Sequence, residues 1–349
     1  MNDTNRSLFL IGNGFDLAHN LKTSYSDFIL WYLNNCISIL NERKSNRKYS
    51  DPLVTIIRRH TSEIEQINSI EEFINYIKAE LIKFKIVSIL FERIISQAKQ
   101  YRWVDIESIY YKCLSEIAFD DEINDKEVLI LELNNGLNFL KDKLKNYLLE
   151  IYDNEIRIDT NIESHIQKIL FDSDFKSLTL STAYFLNFNY TSTINNYINN
   201  VISTKYNIEI INIHGQITEN DSLIFGYGDE MDLNYEKIEH KNNNEYLKHF
   251  KSFGYFKNTR LSKLLSFIEA DSFNVYIMGH SCGISDRLLL NTIFQHDNCK
   301  SIKIFYHKID EFKNDFVEKT MEISRSFTLE GKAKMRKRIV PFNNCKPLT

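Results

Sequence analysis

A run of four apolar residues that stops at a glycine turn is the feature that most constrains this chain. Residues 8–11 read Leu-Phe-Leu-Ile, as expected of a strand with both faces covered, and residues 12–14 read Gly-Asn-Gly. A helix is predicted to begin near residue 24, where a Thr-Ser pair can cap it. This succession is typical of a parallel sheet, and such a turn can bring backbone N–H groups close to a phosphate.

Short β-rich runs alternate with helical stretches in the second half of the chain. The runs that read as strands are 183–190, 208–215, 221–228, 273–281 and 300–307. The helical patterns between them include 191–203, 258–270, 284–294 and 309–324. Alternation of this kind predicts right-handed βαβ units. The predicted fold class is therefore α/β, a Rossmann-like parallel sheet flanked by helices.

The segment from residue 41 to residue 175 has a different pattern. Its apolar residues recur every three or four positions over three or four long stretches, which predicts amphipathic helices. We therefore predict a discontinuous sheet domain, formed by residues 1–40 and 176–349. An all-helical insertion domain, residues 41–175, would interrupt it.

Composition excludes several classes of protein. Hydrophobic residues make up 43% of the chain and charged residues 26%, which is ordinary for a soluble globular protein. A net charge of −4 gives no electrostatic reason to expect nucleic acid as the main partner. The basic run at 331–338, GKAKMRKR, is either a solvated tail or a binding patch. No apolar stretch is long enough for a signal peptide or a membrane span, so we expect a cytoplasmic protein without a membrane partner.

The cysteines and histidines give no metal signature. The five cysteines are scattered and lack CxxC spacing, and the nine histidines include no HExxH. We therefore expect no disulfide framework and no metal cofactor, which fits a reducing cytoplasm.

Polar and glycine residues cluster where the predicted strands end. Ligands bind beyond the carboxyl ends of parallel strands, so these residues are candidates for a nucleotide site. The candidates are Gly12, Asn13, Gly14, Phe15, Asp16, Asn189, Tyr190, His214, Gly226, Asp229, Gly279, Ser281, Ser285 and Asp286. We expect them to converge on one ligand.

Two of these candidates suit catalysis. His214 follows a predicted strand and precedes a glycine, so a neutral imidazole there could act as a base near neutral pH. A lone histidine in such a place can equally be a packing residue. Asn189 could hydrogen-bond a ribose or a water, or it could cap the helix predicted to follow it.

The other motifs are open to structural explanations as well. Gly12-x-Gly14 is a weak signal alone, because Leu17 stands where a dinucleotide fingerprint has its third glycine. Ser285 suits a helix N-cap, and Asp286 suits a first helical turn.

The predicted insertion offers one further carboxylate. In RWVDIESIY, residues 102–110, Asp105 and Glu107 lie about 200° apart around a helix, so they cannot face one pocket. Glu107 lies one turn beyond Trp103 and is the better catalytic candidate. The alternative is a hydrogen bond or salt bridge that orders an interface.

The order of the strand-end motifs resembles that of the sirtuin-type NAD-binding domain. The resemblance implies a sirtuin-like core in which NAD+ is the substrate, Asn189 and His214 are the catalytic pair, and the turn 12–14 binds its phosphates with Gly279 and Ser281. Three features depart from the sirtuin pattern. Thr191 replaces an Asp, Gly-Asn-Gly replaces Gly-Ala-Gly, and the zinc-binding cysteine quartet of the protein deacylases is missing.

A closer resemblance covers nearly the whole chain. The opening IGNGFDLAHNLKTSYSDF is similar to that of the AbiH-type bacteriophage abortive-infection family. Later blocks are also similar, namely WVDIE (103–107), LNFNYT (186–191), IHGQI (213–217), LIFGYGD (223–229) and GHSCGISDR (279–287). This resemblance implies a role in phage defence.

Together these features predict an effector that hydrolyses NAD+ at the nicotinamide–ribose bond. His214 would be the base, Asn189 would orient the attacked group, and Asp16 or Asp229 would stabilise positive charge on the sugar. A toxic enzyme has to be silent at rest, so we expect a homo-oligomer, an occluded pocket or a phage-derived trigger. The alternatives are a nucleotide-binding sensor without turnover, which Thr191 favours, and a nucleic-acid-targeting effector that uses 331–338.

Overall fold

The computed structural model describes most of the chain. The described residues are 6–42, 47–60, 63–100, 105–152, 156–171, 181–198, 206–218, 223–228 and 230–349. The chain divides into two compact units. The first unit comprises residues 1–21, 151–232 and 250–349, and the second comprises residues 22–150 and 233–249.

The elements of the described residues are as follows. The strands are β1 (Arg6–Ile11), β2 (Lys48–Ser50), β3 (Val54–Arg58), β4 (Ile82–Ile86), β5 (Ser181–Asn187), β6 (Tyr206–Asn212), β7 (Phe273–Met278), β8 (Cys299–Tyr306) and β9 (Lys346–Pro347). The helices are α1 (Asn13–Ala18), α2 (Tyr25–Glu42), α3 (Ile70–Lys78), α4 (Ile89–Gln100), α5 (Ile106–Phe119), α6 (Lys126–Ile151), α7 (Thr160–Phe171), α8 (Asn195–Ile198), α9 (Tyr235–Glu239), α10 (Lys251–Tyr255), α11 (Arg260–Ala270), α12 (Arg287–Gln295), α13 (Phe316–Arg325) and α14 (Lys332–Arg338). None of these helices combines the length and the hydropathy that crossing a bilayer requires.

The first unit contains a six-stranded sheet in the order β6-β5-β1-β7-β8-β9. Every neighbouring pair is parallel. From β1 the chain builds outward through β5 and β6 on one side and through β7, β8 and β9 on the other. The strand order therefore reverses between β1 and β7, as in doubly wound folds. The predicted α/β class with a Rossmann-like parallel sheet is confirmed.

The central strand β1 explains why the sheet is covered on both faces. Residues 8–11 have no exposed surface, and alternate residues enter two different apolar clusters. On one face the ring of Phe9 stacks on Phe185 at 4.4 Å and on Tyr276 at 5.2 Å. Burial of each such side chain contributes about 1.5–3 kcal/mol, so this strand is fixed mainly by packing.

One strand prediction in this unit, that of residues 221–228, was wrong, and one strand was not predicted. Residues 223–228 form a buried loop with one bridge, between Tyr227 and Phe250. A short apolar run reads the same in a buried loop as in a buried strand. The strand β9 was missed because two residues carry no periodicity, and its Pro347 suits its place at the sheet edge.

The predicted helices in this unit are shorter in the structure. The run 191–203 has only the single turn α8 among its described residues, and 309–324 begins with a turn, so that α13 starts at Phe316. Asp310 makes that turn, because its Oδ1 accepts hydrogen bonds from the backbone of Phe312 and Lys313. The run 284–294 opens with a 3₁₀ turn before α12.

Residues 41–175 were predicted to form an all-helical domain, but the second unit is not all-helical. It contains a three-stranded antiparallel sheet in the order β2-β3-β4 as well as long helices. The residues of β4, Ile-Lys-Phe-Lys-Ile, alternate with the period of a strand, but they lie inside a longer stretch of helical periodicity that masked them. Glu80, which has a positive φ of 58°, lies in the turn between α3 and β4. Helix α2 also groups with this unit.

Candidate functional site

The loops after β1 and β7 are packed backbone against backbone. The N–H of Gly12 donates to the Met278 carbonyl at 3.2 Å, and that of Gly14 donates to the Gly279 carbonyl at 2.8 Å. A Cβ on Gly12 would lie 2.5 Å from the Cα of His280, and a Cβ on Gly279 would lie 2.1 Å from a backbone nitrogen of α1. Gly279 also has a φ of +74°. Glycine is required at these positions because there is no space for a side chain.

This packing engages the amides that the sequence assigns to a phosphate. Besides the two N–H groups of Gly12 and Gly14, the N–H of Phe15 donates to the Gly12 carbonyl at 2.8 Å. The side chain of Phe15 is fully buried in the core beside the rings of His19 and Tyr197. The exposed Asn13 begins α1, which is only six residues long. The glycines therefore serve first to bring two strand ends together.

Asn189 is fixed on the turn that follows β1. Its Nδ2 donates to the Gly12 carbonyl at 3.0 Å, and its backbone N–H donates to Asn187 Oδ1 at 3.1 Å. Asn187 in turn donates to the Thr191 carbonyl at 2.9 Å and to Asn212 Oδ1 at 3.1 Å. Asn189 is therefore not the cap of α8. Sequence reasoning missed Asn187, although it is the last residue of β5.

Asp16 is a buried carboxyl group beside the same loop. Thr191 donates its hydroxyl to Asp16 Oδ2 at 2.6 Å, while Oδ1 accepts no hydrogen bond from the described residues. Burial raises the pKa of Asp16 from 3.8 to about 6, although the polar groups of Thr191, Thr193 and Asn189 oppose the rise. Asp16 therefore titrates close to neutral pH.

His214 is buried, and both of its ring nitrogens are engaged. Nδ1 lies 3.2 Å from the Phe188 carbonyl, which can only accept, so we assign the proton to Nδ1. Nε2 then accepts from the Tyr255 hydroxyl at 3.1 Å and lies 3.3 Å from Asp286 Oδ1. Burial lowers the pKa of His214, and the Lys251 ammonium lowers it further against the pull of Asp286. The imidazole is neutral at pH 7.

Asp286 is the centre of this cluster. Lys251 Nζ donates to its Oδ1 at 2.8 Å, and His280 Nε2 lies 3.7 Å from its Oδ2. His280 Nδ1 accepts from the Cys282 N–H at 2.9 Å, which places the His280 proton on Nε2, facing Asp286. Burial alone would raise the pKa of Asp286, but the Lys251 ammonium holds the pKa well below its usual range.

These residues form one contiguous group, which we name the strand-end cluster: His214, Lys251, His280 and Asp286. The ring of Phe188 links its two histidines, at 5.4 Å from His214 and 4.1 Å from His280. With one ammonium, one carboxylate and two neutral imidazoles the group carries no net charge, which makes its burial tolerable. Its contact with Gly12, and through Gly12 with Asn189, joins it to the turn after β1.

Lys251 was not predicted as a site residue, because it does not follow a strand in the sequence. Its backbone N–H donates to the Tyr227 carbonyl at 2.9 Å, so the long loop 223–228 positions it. Gly228 allows the approach, because a Cβ there would lie 2.7 Å from the Ser285 carbonyl oxygen. His280 could have been predicted as a site residue, because it lies between two residues that were, Gly279 and Ser281.

A comparison with known families gives a match over most of the chain. A family described as bacteriophage abortive infection AbiH matches residues 8–308. The chain belongs to the AbiH family. The match begins in β1 and ends just after β8, so it spans the carboxyl ends of β1, β5, β6, β7 and β8. No curated protein matches the chain significantly. Family membership assigns this AbiH protein to phage abortive infection.

Other predicted residues of this AbiH protein have structural contacts near the cluster. Tyr190 donates its hydroxyl to the Ile224 carbonyl at 3.0 Å. Ser281 is exposed, and its Oγ accepts the Gly283 N–H at 3.3 Å within the turn. Ser285 is buried and is not a helix N-cap. Its carbonyl oxygen lies close to Gly228. Gly226 is buried in the loop 223–228, and Asp229 lies outside the described residues.

Glu107 belongs to the second unit of the AbiH protein. It is buried in the first turn of α5, and Asp105 is the N-cap of that helix, accepting the Ser108 N–H at 3.1 Å. Trp103 lies outside the described residues. The catalytic role of Glu107 stays a prediction. In the part of the chain that the structure describes, no three or more His, Cys, Asp or Glu residues are grouped to hold a metal ion.

The basic run 331–338 is part of the fold and not a solvated tail. It forms α14, where Arg338 is buried and donates to the Phe294 carbonyl at 2.5 Å. Lys334 pairs with Asp297 at 2.6 Å, and Lys332 donates to Ser324 Oγ at 2.9 Å.

Proposed function

We propose that this AbiH protein hydrolyses NAD+ at the nicotinamide–ribose bond and so depletes the cofactor during phage infection. The observation that carries the proposal is the strand-end cluster, which lies beside the reversal of strand order between β1 and β7. Doubly wound sheets bind nucleotides at that reversal, and the cluster supplies a neutral imidazole and a carboxylate there.

In the proposed reaction the C–N bond breaks and its electron pair leaves with nicotinamide. The ribose becomes oxocarbenium-like, and a water molecule attacks it and loses a proton. The lone pair of His214 Nε2 is the acceptor for that proton, with the Tyr255 hydroxyl as the group that passes it on. Asp286 stabilises the imidazolium that forms, because its carboxylate lies 3.3 Å away.

Asp16 and Asn189 supply the remaining chemistry in this proposal. Above its pKa of about 6, the Asp16 carboxylate stabilises positive charge on the sugar. Asn189 orients the ribose or the water from its fixed place on Gly12. The turn amides already donate within the chain, so we assign the phosphate contacts to the exposed residues of the two loops, Asn13 and Ser281.

The burial of His214 supports an enzyme that is silent at rest. Only 4% of the residue is exposed, so a substrate can reach it only after the surrounding loops move. A phage-derived trigger or a change in self-association would supply that movement.

The decisive experiment measures NAD+ and free nicotinamide in cells before and after phage infection. Cells that carry the wild-type protein are expected to lose NAD+ after infection. His214→Gln is expected to slow nicotinamide release by about 10²–10⁴-fold. His307→Gln is the matched control, because His307 is exposed and lies outside the cluster. Infected cells that stop growing at constant NAD+ would exclude this reaction.

A second candidate is a nucleotide sensor without turnover. It is favoured by the engagement of the turn amides and of both His214 nitrogens, and by the use of Thr191 as a partner of Asp16. Calorimetry with NAD+ separates the two candidates. Saturable binding without nicotinamide release, in protein taken from infected cells, supports the sensor.

A further inference from the structure

Arg58, the last residue of β3, is a buried arginine that has no carboxylate partner among the described residues. It is 5% exposed, and its guanidinium makes one long hydrogen bond, from Nη1 to Asn41 Oδ1 at 3.4 Å. Within the part of the chain that the structure describes, its Nε has no hydrogen-bond partner and the guanidinium forms no ion pair with a carboxylate. A buried cation that is not compensated is costly, so the side chain is suited to an anionic group supplied from outside the chain.

Arg58 is one of the residues that line a cavity of about 270 Å³. The lining also includes His60, Glu63, Glu65, Tyr76 and Leu81. The volume lies just below the range of about 300–1,000 Å³ that is usual for ligand pockets, which indicates a small ligand. Tyr76 and Leu81 contribute apolar wall, while Glu63 and Glu65 are exposed lining residues.

Two asparagines of α2 hold one wall of this cavity in place. Asn41 accepts the Ile64 N–H at 3.1 Å and donates to the Ile64 carbonyl at 2.8 Å. In the same way Asn34 accepts the Ile67 N–H at 2.8 Å and donates to the Ile67 carbonyl at 2.9 Å. The segment that carries Glu63 and Glu65 is therefore fixed by side-chain bonds that mimic a strand partner.

The charges around the cavity select the class of ligand. One arginine and two glutamates line the cavity, so a ligand with only negative charge would add to an acidic excess. A ligand with a carboxylate and an ammonium group balances all three charges, because arginine binds carboxylates through a planar fork. We propose that this cavity binds a small apolar α-amino acid, with its carboxylate on Arg58 and its ammonium group near Glu63 and Glu65.

This site uses no residue of the strand-end cluster and does not depend on the proposed NAD+ hydrolysis. Its residues all belong to the second unit. Binding can therefore be measured without any activity assay.

Isothermal titration of the full-length protein with leucine tests the proposal. Leucine is expected to bind saturably, and 4-methylpentanoate, which lacks only the amino group, is expected to bind about tenfold more weakly. Arg58→Met is expected to abolish binding of both. The double variant Glu63→Gln/Glu65→Gln is expected to bind leucine no better than 4-methylpentanoate.

Control variants separate loss of the site from loss of the fold. Glu71→Gln alters an exposed carboxylate of α3 outside the cavity and is expected to bind leucine normally. Because the two glutamates are exposed, their double variant tests the site even if Arg58→Met unfolds. Absence of leucine binding at millimolar concentration, binding that survives Arg58→Met in a folded protein, or tighter binding of inorganic phosphate than of leucine would overturn the proposal.

Discussion

Lys251 Nζ lies 2.8 Å from Asp286 Oδ1, and the two side chains are 0% and 10% exposed. This ion pair lies at the centre of the strand-end cluster and fixes the charge of its neighbours. The ammonium keeps Asp286 ionised and opposes the protonation of His214 and His280.

Replacing Lys251 by Met is expected to destabilise the protein by about 3–5 kcal/mol at pH 8, because the Asp286 carboxylate is left buried and unpaired. Urea denaturation measures the loss. The double variant Lys251→Met/Asp286→Leu is expected to recover part of it. Lys334→Met removes an ion pair that is 47% and 87% exposed and should cost less than about 1 kcal/mol. Equal losses from the two single variants would contradict this account.

Lys251→Met is also expected to raise the pKa of His214. In the wild type burial and then Lys251 lower that pKa from 6.5, so the unfolded chain binds more protons and stability falls as the pH drops below about 6.5. Without Lys251, a proton on His214 compensates Asp286, and the cost of Lys251→Met should shrink from pH 8 to pH 6. The titratable groups near His214 include Tyr190, Lys251, Tyr255, His280 and Asp286.

Histidine NMR titration is the direct measurement, with the His214 signal assigned from His214→Gln. A His214 pKa that is unchanged in Lys251→Met would show that the ammonium does not control the imidazole. This result would be independent of any reaction.

Asp16→Asn is expected to stabilise the protein at high pH and to reduce activity. Burial raises the pKa of Asp16 from 3.8 to about 6, so ionisation costs about 3 kcal/mol above pH 6 and nothing below pH 4. The gain should therefore be about 1–3 kcal/mol at pH 8 and smaller at pH 5. Thermal unfolding across this range checks the sign. Greater stabilisation at pH 5 than at pH 8 would be the wrong sign.

Gly279→Ala is expected to cost at least about 2 kcal/mol or to prevent folding. Its φ of +74° disfavours a side chain, and the added Cβ would meet the backbone of Phe15 at 2.1 Å. Gly283→Ala is the matched control, because Gly283 has a φ of −66° and its Cβ would meet only Ser281 Oγ at 3.4 Å. Similar expression and melting temperature for both variants would argue against the close packing of the two loops.

The fold was predictable wherever burial leaves a recognisable pattern of apolar residues in the sequence. The strands β1, β5, β6, β7 and β8 are short apolar runs that end in polar or glycine residues, and parallel pairing follows from the helices between them. The failures have the same physical origin. The loop 223–228 is as apolar as a strand because it is buried, and β4 is obscured because helical periodicity surrounds it.

By itself the sequence determined the α/β class, the break at residues 12–14 and the grouping of Asn189 and His214 at strand ends, because these depend on local periodicity and on sheet topology. The tertiary structure alone decided that the glycines serve backbone packing, that Lys251 is the counter-ion of Asp286, and that Arg58 has no counter-ion among the described residues. Burial and pairing depend on segments that are distant along the chain. Only their packing reveals which charges are compensated.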